Sequence, residues 1–131
     1  VNTPGTCVVN SGALLTLGAA INLTGTGTFT LSSGGTLGIA STAGITSSGA
    51  TGNIQTATRN FDPGANYTYN GAAAQVTGNG LPATLTGSLT ITNAAGVTLT
   101  ASETINTPGA CVVTNGGFLI TSWLFASEAD V

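Results

Sequence analysis

The chain has no histidine, lysine or methionine, one arginine (Arg59) and four acids (Asp62, Glu103, Glu128 and Asp130) in 131 residues. Each absence removes a kind of chemistry. A nucleic-acid partner is excluded, because binding phosphates takes several Lys or Arg to release counterions and a single Arg on a chain of net charge −3 cannot supply them. Without histidine, nucleophile triads and zinc sites lose their usual partner. Glycosidases need two carboxyl groups facing one another, and nothing in the spacing of Asp62 and Glu103 brings that pair together. There is no calcium-binding Gly-Gly-x-Gly-x-Asp repeat and no EF-hand loop. The expectation is a protein that is not an enzyme and carries no metal or cofactor.

Long apolar runs are missing as well. None approaches the roughly twenty residues of a membrane helix, and even Ala13 to Leu23 is interrupted by Thr16, Gly18 and Asn22. Direct membrane insertion is therefore not expected. The sequence has no initiating Met, basic n-region or signal-peptide hydrophobic stretch, so it reads as a mature fragment or a repeat cut from something longer, with export signals outside it.

What the chain does have is glycine, hydroxyl residues and regularly spaced aliphatics. Twenty glycines would fit a flexible linker, but 41% of residues are hydrophobic and the mean hydropathy is +0.40, the opposite of a disordered composition. The polar surface must come from Thr, Ser, Asn and Gly, a neutral coat typical of secreted and cell-surface β proteins. Helix signals are almost absent. Short runs with apolar residues two apart stand at Leu15 to Leu17, Ile21 to Leu23, Thr28 to Leu31, Thr36 to Ile39, Tyr67 to Tyr69, Leu89 to Ile91, Val97 to Leu99 and Cys111 to Val113. This spacing buries one strand face and leaves a Thr-rich one in water. Between them lie turn signals such as Ser33-Gly34-Gly35, Asn70-Gly71, Asn79-Gly80 and Ala95-Gly96. Strands this short suit an all-β solenoid, in which each coil hydrogen-bonds to the coils on either side. At roughly twenty residues a coil, the chain would make about six. The alternative is an antiparallel β-sandwich.

A nine-residue stretch occurs twice: Val1 to Val9 (VNTPGTCVV) and Ile105 to Val113 (INTPGACVV), an offset of 104 residues that also separates Cys7 from Cys111. The chain thus reads as a repeat segment over residues 1–121, one period plus the start of the next, followed by an atypical tail at 122–131 that resembles no rung. In an axial stack the two cysteines would lie at opposite ends, several coils apart, beyond the roughly 7 Å that a disulfide allows between Cα atoms. That leaves two readings: small buried apolar residues, or an intersubunit Cys7–Cys111 disulfide between stacked copies. An internal bridge would support the sandwich instead.

Arg59, Asp62, Tyr67 and Tyr69 form the most chemically varied patch. They read either as a surface-glycan contact, with rings stacking on sugars and Arg and Asp binding hydroxyls, or as an exposed Arg59–Asp62 ion pair beside packed strand aromatics. The pairs Thr28/Thr30, Thr84/Thr86, Thr90/Thr92 and Thr98/Thr100 invite an ice-binding reading, but their spacing follows no constant coil, and Phe29, Leu85, Ile91 and Leu99 are expected to point inward.

The blocks Gly34 to Ile39, Gly49 to Gln55, Arg59 to Phe61, Gly64 to Gly71 and Ala74 to Pro82, with the run Leu89 to Leu99 after them, resemble repeat regions of large secreted, adhesin-like surface proteins of the Bacteroidota. The resemblance covers roughly residues 12 to 120. It implies a right-handed parallel β-helix, export to the cell surface, and a structural or adhesive role. An uncapped solenoid segment with so little charge exposes strand edges at both ends, so the expected partner is a second copy, stacked head to tail into a fibre.

Overall fold

Strands of two to nine residues alternate with tight corners, and the chain closes a circuit before it meets a partner, so hydrogen bonds run to the previous circuit rather than back across a hairpin. This is seen in a computed structural model describing residues 1–120 and the backbone of 125–127. The first coil carries β1 (Thr6–Val9) and β2 (Leu14–Leu17), and the second β3 (Leu23–Leu31) and β4 (Thr36–Ile39). The third has β5 (Ile54–Phe61), β6 (Asn66–Tyr69) and β7 (Gln75–Val76), and the fourth β8 (Thr84–Leu85), β9 (Leu89–Ile91) and β10 (Val97–Thr98). The fifth contains β11 (Glu103–Ile105), β12 (Cys111–Val113) and β13 (Phe118–Leu119), and β14 (Phe125–Ser127) opens a sixth. There is no helix among the described residues.

The strands stack in four parallel sheets: sheet A is β1-β3-β5, sheet B is β2-β4-β6-β9-β12, sheet C is β7-β10-β13 and sheet D is β8-β11-β14. Sheets A and D share one side of the stack, each strand leading through a corner into sheet B. Every pairing between these strands is parallel, so the antiparallel sandwich is not the architecture. Within the tail, Phe125–Ser127 does form a rung beside β11, which corrects the reading of 122–131 as unlike one; the rest of that tail lies outside the described residues.

Side chains stack in columns. Leu15, Leu37, Tyr67, Leu89 and Cys111 form one inward column of sheet B, and Leu17, Ile39, Tyr69, Ile91 and Val113 another. Leu37, Tyr67, Tyr69, Leu89 and Ile91 have at most 1% of their surface exposed, and Phe29, Leu85 and Ile105 extend the same core. At roughly 25 cal/mol per Å² of apolar area removed from water, this continuous interior is the main stabilising term. The intervening Thr16, Thr68 and Thr90 face out, as the alternation requires. The usual coil step is 22 residues, but Leu37 to Tyr67 takes 30, because residues 46–52 leave the wall as an excursion before β5. The Ile21 to Leu23 run enters a strand only at Leu23, while Ile21 lies exposed on the preceding corner.

Candidate functional site at the two ends of the stack

Outward positions in the middle coils carry hydroxyl, amide or glycine: Thr30 and Asn60 in sheet A, and Gly38, Thr68 and Thr90 in sheet B. At the ends the same columns carry Val8 and Val112. Nine large apolar residues are exposed among those described, and all but Val76 belong to the first coil (Val1, Val8, Leu14, Ile21) or the last full one (Val112, Val113, Leu119, Ile120). The inward residues Cys7, Leu15 and Cys111 pack on the core yet remain half-buried, since each sits on an outermost strand. Such an edge presents unpaired backbone N–H and C=O groups to any matching strand.

Cys7 lies on β1 at the outer edge of sheet A, paired across to Phe29, and Cys111 on β12 at the opposite outer edge of sheet B, paired to Leu89. Both thiols are free. Burial pushes the Cys111 thiol above its ordinary value, which keeps it protonated at neutral pH.

In the Arg59 patch the tyrosines are packed strand residues, as the second reading has them, but the ion pair of that reading is not formed. Tyr67 and Tyr69 are wholly inside, with hydroxyls donating to Asp62 O at 2.7 Å and Thr77 O at 2.6 Å, so neither ring can stack on a sugar. Their inward direction follows from sharing the parity of Leu37 and Ile39 one coil earlier. Arg59 does not pair with Asp62. It donates through Nη1 to Thr46 O (2.9 Å) and Oγ1 (2.8 Å), through Nε to Thr56 O (3.0 Å), and through Nη2 to Gly49 O, clamping the 46–52 excursion. Asp62 Oδ1 accepts from Gly64 N at 2.7 Å and so shapes the corner before β6. The open hollow beside Arg59, Asn60 and Asp62 therefore has no exposed aromatic platform of tyrosine. Arg59→Met is expected to cost roughly 2 kcal/mol, the scale of hydrogen bonds to a charged, partly exposed donor, and to raise amide exchange selectively at residues 46–51.

The four threonine pairs start on four different sheets, Thr28 on A, Thr84 on D, Thr90 on B and Thr98 on C, and do not stack into one array. Sequence reading also missed a set of buried amides. Asn53, Gln75 and Asn93 are at most 2% exposed, and Gln75 Nε2 donates to Ile39 O and Ser41 O while its Oε1 accepts from Gly71 N and Asn93 Nδ2. No group of three or more His, Cys, Asp or Glu residues is placed to hold a metal, and no helix is long and apolar enough to cross a membrane, among the described residues. No family model, curated protein or solved structure matches the chain.

Proposed function

We propose that this chain is a non-enzymatic structural or adhesive repeat of an extracellular, cell-surface protein, a right-handed parallel β-helix that associates end to end into a fibre or stalk. The observation that carries this reading is the placement of exposed Val8, Leu14, Val112 and Leu119 on the two outermost coils, beside open parallel edges. The right hand is the one that a parallel strand-to-strand crossover takes in about 98% of cases. Secretion and an adhesin-like setting are supported by the resemblance over roughly residues 12 to 120 and by the neutral hydroxyl surface. The low charge leaves little electrostatic repulsion to oppose growth.

The test is a concentration series by sedimentation, with electron microscopy of the same samples. The native chain is expected to form fibres, whereas Val8→Lys and Val112→Lys each raise the concentration needed by at least about tenfold, since 1.4 kcal/mol of contact suffices for that factor. A native chain that stays monomeric at every concentration would remove assembly from the account.

A further inference from the structure

The sequence repeat is also a structural one, and it is out of step with the coil. β1, a corner and β2 recur at the 104-residue offset as β12, a corner and β13, with Gly12 at φ 78° answered by Gly116 at φ 77°. That left-handed backbone is one side chains other than glycine rarely adopt, so both copies turn the same way. They nevertheless occupy different sides: β1 and β2 lie in sheets A and B, and β12 and β13 in sheets B and C. The reason is numerical. From Leu15 to Cys111 the sheet B column climbs by 22, 30, 22 and 22 residues, which uses 96 of the 104, and the last eight carry the motif along by one side.

We propose that the C-terminal end of one copy receives the N-terminal end of a second copy turned by one side. β1 of the incoming chain then lies beside β12, and its β2 beside β13. In this register Cys7 faces Cys111 and Val8 faces Val112. The inference rests on the end-to-end reading above and specifies its contact. Two further observations favour the turn. β12 and β13 are the outermost strands of sheets B and C, whereas the next rung of sheet D is already filled by β14. Incoming β1 and β2 therefore complete the coil that β14 begins. An unturned copy would need for its β1 the rung that β14 holds, or would stand one coil higher and leave β12 and β13 bare. The turned register also joins two corners of equal length and the same glycine geometry, and sets exposed Val8 on exposed Val112.

The experiment oxidises the assembled 131-residue chain with diamide, whose azo group takes up the two protons and two electrons released as two thiols join. A ladder of covalent oligomers is expected on non-reducing gels, with the Cys7–Cys111 peptide pair identified by mass spectrometry and the ladder lost entirely in Cys7→Ser. The double variant Cys7→Ser, Leu15→Cys reports the unturned register, in which position 15 faces Cys111. Fibres that link through position 15, link Cys7 to Cys7, or link through neither pair overturn the register while leaving assembly standing. A native chain that sediments as a monomer overturns both.

Discussion

Leucine in place of Asn53 is expected to lower the unfolding free energy by on the order of 4 kcal/mol, read from urea denaturation followed by circular dichroism. Asn53 ends the 46–52 excursion at 1% exposure and uses its amide on two coils at once. Oδ1 accepts from Ala40 N at 3.1 Å and Ser41 N at 2.9 Å in the second coil, while Nδ2 donates to Gly18 O at 2.9 Å and Ile21 O at 2.8 Å in the first. Leucine matches the volume and strands all four backbone groups, each costing about 1–3 kcal/mol when buried without a partner. Against a total stability of roughly 5–15 kcal/mol for a single domain, that is a large fraction. Asn53→Asp keeps the two accepted bonds but turns a carboxylate oxygen toward two carbonyls, so it should be at least as damaging at neutral pH. A loss below about 1 kcal/mol in both variants would show that the excursion is held by other contacts.

The second large effect concerns pH. Glu103 is 3% exposed, its Oε1 has no hydrogen-bond partner, and burial pushes its carboxyl from 4.5 up to about 8. Between those values the unfolded chain releases the proton while the folded chain keeps it, so the unfolded state binds fewer protons and stability falls as pH rises. The contribution is undiminished below about 4.5, declines through the window, and levels off above about 8, where both states are ionised. At 1.36 kcal/mol per pKa unit the full swing is on the order of 3–5 kcal/mol. Tyr67 and Tyr69 face the same interior, and desolvation, with a smaller contribution from the Glu103 charge, holds their phenols well above the usual range. They therefore stay neutral throughout that window. Glu103→Gln keeps the shape and removes the ionisation. The stability difference between native chain and variant should thus change steadily from pH 5 to pH 8 in thermal melts, and a constant difference would mean that Glu103 is solvated in the folded chain.

Much of the fold was legible because it obeys a period of two. Thr36 to Ile39 is β4 residue for residue, and Leu89 to Ile91 and Cys111 to Val113 coincide with β9 and β12. Composition pointed to stacked short strands, but it could not distinguish a 22-residue step from a 30-residue one, because the excursion at 46–52 reads as one more glycine-serine turn. β5 is not marked in the sequence, since Thr56, Ala57 and Thr58 carry no large apolar residue to show alternation. The site was less legible. Tyr67 and Tyr69 look adhesive in a list of residues, whereas their spacing of two, continuing Leu37 and Ile39, already placed them on the buried face. Arg59 stands near Asp62 in the sequence, but it donates to the carbonyls of Thr56, Gly49 and Thr46 and to the Thr46 hydroxyl, which no sequence pattern marks. Asn53, Gln75 and Asn93 look like ordinary turn residues until their partners are known.

The mismatch between repeat and coil would be visible at a larger scale. Each copy joined in the turned register adds the five coils of sheet B and the third of a coil that β14 fills, about 26 Å at roughly 4.8 Å per coil, and rotates the next copy by a third of a circuit. The excursion at residues 46–52 would then wind around the shaft like the thread of a screw, facing the same way again only after three copies. Fibre diffraction would carry a layer line at roughly 77 Å, the height of the sixteen coils in three copies, and an unturned fibre, repeating with every copy, would lack it.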